Sequence, residues 1–144
     1  DKRRAGTENL AAIAGMIAAL KENLKGYPEN ISHVESLKKQ LLAELDGIDY
    51  YVNNDSHTLP YVINLGFPKQ ANDLLLMRLD LAGISISTGS ACTAGAVEPS
   101  HVLEALYGSD SERLKESIRI SFSEQNTSEE VRQFTTTLKE ILGG

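Results

Sequence analysis

A single cysteine, Cys92, is the scarcest chemical feature of this 144-residue sequence, and one thiol cannot form an internal disulfide. An unpaired thiol suits a reducing, cytoplasm-like compartment. There is no secretory hydrophobic region and no long uninterrupted apolar run, so neither export nor membrane insertion is indicated. Basic residues are in deficit. Fourteen Lys and Arg against 20 Asp and Glu leave a formal charge of −6, and no Lys/Arg stripe is available to neutralise phosphates, which argues against a nucleic-acid surface. The one basic cluster, residues 2–4, reads as a solvated terminus. The three histidines, His33, His57 and His101, are scattered without metal-ligand spacing and read as surface or loop residues, so no metal site is expected. No internal repeat or low-complexity tract is present. The chain also lacks an initiating methionine and begins inside a motif, so it is expected to be part of something longer.

With 41% hydrophobic and 24% charged residues, the composition is that of an ordinary soluble globular domain with a real core. Apolar residues at Leu10, Ile13, Ile17, Leu20 and Leu24 have a helical period that ends at Gly26-Tyr27-Pro28. A second helical stripe, Ile31, Val34, Leu37, Leu41 and Leu45, starts at Pro28 or at a Ser32/Glu35 capping box. Strands are expected at 48–52 and 61–67, separated by a polar loop. A helix buried on two sides is expected at 70–81, with Gly83 as its cap, followed by a strand at 84–87. Pro99 fits the first turn of a helix to Tyr107, and a short helix follows at 110–115. Residues 117–123 alternate strictly, with Ile118, Ile120 and Phe122 on one face and Ser117, Arg119 and Ser121 on the other, the pattern of a half-buried strand. Thr127 and Glu130 form a capping box for a closing helix striped by Val131, Phe134, Leu138 and Ile141. This order does not alternate strand and helix regularly. The expected fold is therefore α+β, a small mixed or antiparallel sheet with helices on one face.

Residues 85–99, SISTGSACTAGAVEP, surround Cys92 with side chains no larger than Thr from Ser87 to Ala96. Such a run buries too little to offset the entropy of fixing its backbone, which describes an exposed arm carrying a thiol. A cysteine kept for packing belongs among Leu, Ile and Val, so Cys92 is the candidate nucleophile. Arg119, flanked by Ser117 and Ser121, has the planar fork that holds a carboxylate by two parallel hydrogen bonds; a plain surface arginine is the competing reading. Thr7 after Gly6 lets a hydroxyl and a backbone approach an anion, and as a plain feature it is a helix cap.

GSACTAG followed by EPSHVLEAL resembles the active-site loop of the cysteine desulfurases, pyridoxal-phosphate enzymes of the aminotransferase class-V type, NifS-like. RAGTEN at residues 4–9 and SIRISF at residues 117–122 are similar to two further blocks of that family, in its order. The resemblance implies the small domain of an aminotransferase-like enzyme at residues 26–144, with residues 1–25 as a helix connecting it to a large domain upstream. It implies that Cys92 takes sulfur from L-cysteine as a persulfide with release of L-alanine, that Arg119 holds the substrate carboxylate, and that Thr7 donates to the cofactor phosphate across a dimer interface. Glu98 and Arg4 match the motifs as well; Glu98 would place negative charge at a helix start, and Arg4 has no assigned role. The implied partners are the large domain, a second copy in a homodimer, and a sulfur acceptor such as an iron–sulfur scaffold protein. One departure is plain. The family's cofactor lysine follows a histidine, and no histidine here precedes a lysine. Pyridoxal phosphate is therefore expected in the full-length enzyme and not on this chain alone. The competing reading is a stand-alone single-cysteine module that carries sulfur or binds a partner without a cofactor.

Overall fold

The computed structural model describes residues 6–53, 58–89 and 99–143. Six helices, α1 (Leu10–Lys25), α2 (Tyr27–Glu44), α3 (Asn72–Leu81), α4 (His101–Tyr107), α5 (Arg113–Glu116) and α6 (Ser128–Leu142), accompany three strands, β1 (Tyr51–Val52), β2 (Val62–Gly66) and β3 (Ser117–Ser121). The strands form one antiparallel sheet in the order β1-β2-β3, with Asn64 opposite Arg119 and Leu65 opposite Ile118. Because side chains alternate along a strand, Ile63, Leu65, Ile118 and Ile120 all point to one face. There they meet Leu37, Leu41 and Leu45 of the α2 segment, Leu75 and Leu79 of α3, and Val131, Phe134 and Leu138 of α6. That is the expected α+β layer arrangement.

Local chemistry explains the boundaries. Pro28 sits in the first turn of α2, so the start is the proline and not the Ser32 box. At α6 the Thr127 side chain accepts from the Glu130 N–H at 3.2 Å while the Glu130 carboxylate accepts from the Thr127 N–H at 2.8 Å, a complete reciprocal cap. α3 closes with Gly83 at φ +78°, whose N–H donates to Asp80, while the Ile84 N–H donates to Leu79. That cap uses the Ile84 donor, and of the expected 84–87 strand only Ser87 pairs, with Arg119. Ile84 and Ile86 pack against the core instead.

Three other expectations shift. Strand 48–52 shrinks to Tyr51–Val52, since the Ile48 N–H turns back to Leu45 and pairing starts only where the chain meets Gly66. Pro99 lies outside its helix: Ser100 is the cap, accepting from the Leu103 N–H at 3.4 Å. α3 buries one face rather than two, through Leu75 and Leu79, and leaves Leu74, Met77 and Leu81 exposed. α1 buries no residue at all, so its apolar stripe lies open in this chain.

Candidate active site

The polar face of the sheet, opposite the core, carries the candidate anchor. Arg119 is half-buried in the middle of β3. β3 is the last strand of the sheet, and Ser87 covers its outer edge at this residue: the Arg119 N–H donates to the Ser87 carbonyl at 2.6 Å and the Ser87 N–H donates to the Arg119 carbonyl at 3.1 Å. The Arg119 guanidinium then donates through one NH2 group to Ser87 Oγ at 3.1 Å. Ser87 is the first residue of the small-residue run that leads to Cys92. Three hydrogen bonds thus fasten the entrance of that run to the arginine. Among the described residues no carboxylate pairs with Arg119. At this one residue the edge is paired and the side chain is tethered.

A polar network lies beside it. The Asn53 amide donates to Asn64 Oδ1 at 2.7 Å and to Ser117 Oγ at 2.9 Å, and Arg113 donates to Asn53 Oδ1 at 2.7 Å. Ser117 is buried, so its hydroxyl requires such a partner. The Arg113 guanidinium lies over the Tyr51 ring at 4.2 Å and the Tyr107 ring at 4.4 Å. Burial, foremost, pushes the Tyr51 phenol above its ordinary pKa, so it stays a neutral donor, reaching Glu116 at 3.4 Å. Asn64 faces the same side as Arg119, one strand over, which makes the network the near neighbour of the anchor. None of Ser87, Asn53, Asn64 or Arg113 stands out by periodicity. A strand was expected at 84–87, but only Ser87 pairs, and its partner is a tertiary fact.

The other candidates are dispersed or lie elsewhere. Cys92, Arg4, His57 and Glu98 fall outside the described residues. Thr7 is exposed just before α1; the helix is capped by Asn9, which accepts from the Ala12 N–H at 3.1 Å, so Thr7 is not the cap. His33 is exposed, its Nε2 2.8 Å from the Asn126 carbonyl, and His101 is exposed at the start of α4. Among the described residues no group of His, Cys, Asp and Glu could hold a metal ion, and no helix is long and apolar enough to cross a membrane.

A three-stranded antiparallel sheet under helices is the α+β arrangement of the small domain of aminotransferase-fold enzymes. The profile of the aminotransferase class-V family matches residues 1–134, and the chain belongs to that family. A protein of Bacillus subtilis (strain 168) assigned as a cysteine desulfurase, IscS 1, is 47% identical over 134 residues, covering 91% of this chain and 35% of its own length. The cysteine desulfurase IscS of Dictyoglomus turgidum is 34% identical over 145 residues, covering 99% of this chain and 36% of its own. A solved NifS-like protein from Rickettsia africae superposes with a TM-score of 0.82 at 30% identity, over 98% of this chain and 37% of that one. The chain therefore spans about a third of the length of the relatives it matches.

Cysteine desulfurases of this family are pyridoxal-phosphate enzymes, and the residues present here do not by themselves fit that cofactor. It requires a lysine amine held in a closed bed, whereas among the described residues every lysine is exposed or half-exposed. The exposed Thr7 hydroxyl is one phosphate donor at most.

Proposed function

We propose that this chain is the C-terminal part of a cysteine desulfurase, with residues 1–25 connecting to a cofactor-bearing large domain and residues 26–144 forming the small domain. The observation that carries the reading is the Ser87–Arg119 pairing, which brings a carboxylate-matching fork to the root of the segment that contains the sole thiol. In this reading Arg119 binds the carboxylate of L-cysteine through two parallel hydrogen bonds and so orients its sulfur. The Cys92 thiolate attacks that sulfur; an S–S bond forms, the substrate's C–S bond breaks, and a proton completes L-alanine while Cys92 is left as a persulfide. Pyridoxal phosphate, held by upstream residues with Thr7 donating to its phosphate across a homodimer interface, supplies the electron sink that makes the C–S bond labile.

A persulfide is a reversible modification, which suits delivery to a sulfur acceptor such as an iron–sulfur scaffold protein. The single thiol suits a reducing cytoplasm. The relatives named above support the enzyme over a stand-alone carrier, since they extend well beyond the portion matched here. The test is mass analysis of the Cys92 peptide after the protein, with its cofactor-bearing segment, has consumed L-cysteine. One added sulfur atom, removed by a reducing thiol and matched by alanine released, is the expected result; an unmodified Cys92 in the presence of alanine formation contradicts it.

A further inference from the structure

Resting on that reading, we infer that Arg113 is a positioning residue that clamps the exit of the cysteine segment, as Ser87–Arg119 fastens its entrance, and thereby serves sulfur acceptance rather than substrate binding. The segment returns to the fold through Pro99 and Ser100 directly into α4. α4 has little else to hold it. Of its seven residues only Leu103 is buried, while Val102 and Leu106 are 54% and 61% exposed. The Arg113 guanidinium carbon lies 4.4 Å from the ring centroid of Tyr107, the last residue of α4, and 4.2 Å from that of Tyr51 of β1, and the same guanidinium donates to Asn53 at 2.7 Å. A planar cation that meets two rings while donating an N–H to an amide is an arrangement that lysine cannot reproduce. The contacts join α4 to β1, while the Ser87–Arg119 hydrogen bonds involve none of Arg113, Tyr51 or Tyr107, so releasing the contacts frees α4 and leaves those bonds their own partners. A loosened exit lowers the fraction of time the thiol occupies a productive geometry, which is a loss of effective concentration at the acceptance step.

The test uses Arg113→Ala, Arg113→Lys and the milder Tyr107→Leu. Hydrogen exchange on the 144-residue chain should show α4 amides exchanging on the order of tenfold faster in Arg113→Ala, with α6 unchanged as an internal control of folding. In the protein carrying its cofactor-bearing segment, kcat for alanine formation should fall several-fold while the half-saturating L-cysteine concentration holds; Arg113→Lys should restore little, and Tyr107→Leu should give the same split with smaller amplitude. Unchanged α4 exchange overturns the clamp. An unchanged kcat, or a rise in KM in place of the fall in kcat, overturns its role in sulfur acceptance. If Arg113→Ala loses α6 protection as well, Tyr107→Leu decides by the same criteria. A wild-type protein that makes no alanine defeats the desulfurase reading itself, and the exchange comparison still decides the clamp.

Discussion

At the scale of single residues, chemistry depends on which side chains the fold leaves with unused capacity. Among the described residues Arg119 spends one donor group, on Ser87. Arg119→Lys retains the charge but not the bidentate geometry, so in the complete enzyme KM for L-cysteine should rise on the order of tenfold with the fold intact; steady-state kinetics with circular dichroism as a control would check this. Gly66 has a different constraint. A Cβ there would run into the Tyr51 ring, so Gly66→Ala must displace the tyrosine from its place beside Arg113 and should cost about 1–3 kcal/mol in urea unfolding. Motif and residue type single out Cys92, Arg119 and Thr7 as candidates in the sequence; of these the structure describes Arg119 and Thr7. Arg113, Tyr51 and Tyr107 are not singled out, because contacts joining positions 51, 107 and 113 leave no periodic trace in a linear chain.

At the scale of elements, the sequence spoke clearly where a helix carries its own signals. The Thr127/Glu130 box and the apolar stripe of α6 both appear as read. Thr127→Ala should cost about 1 kcal/mol, seen as a lower denaturant midpoint with unchanged slope. Elements whose existence depends on a partner were harder to bound. The 48–52 run has strand composition throughout, yet pairs only at Tyr51 and Val52, because hydrogen bonds to β2 begin there. Residues 84–87 lose their first donor to the cap of α3. α1 marks the opposite limit: its period is helical, but among the described residues it buries nothing, and a helix in water draws most of its stability from packing an apolar face. Its amides in the 144-residue chain should therefore exchange far faster than those of α6, which hydrogen-exchange mass spectrometry would resolve.

At the scale of the whole molecule, the core of α2, α3, α6 and the sheet is complete without α1, so removing residues 1–25 should leave the melting temperature nearly unchanged. The α2–α6 contact carries a pH dependence. The Glu44 carboxylate accepts from the Thr135 hydroxyl and, next in weight, from the Gln40 amide, which hold its pKa below the ordinary 4.5. A depressed carboxylate contributes stability above its unfolded value, and that contribution is lost as pH falls below 4.5 through the folded value. Thr135→Val should flatten this acid limb in thermal melts taken from pH 6 downward. The fold class was legible because the element order is irregular and the sheet strands alternate; the open face of α1 fits the connection to a large domain proposed above. The central claim is that Cys92 accepts the substrate's sulfur, and the most direct measurement is paired absorbance and alanine assays on Cys92→Ser in the protein with its cofactor-bearing segment. The account predicts that the variant still gives the spectral change on adding L-cysteine but releases essentially no alanine; alanine formed at the wild-type rate would contradict it.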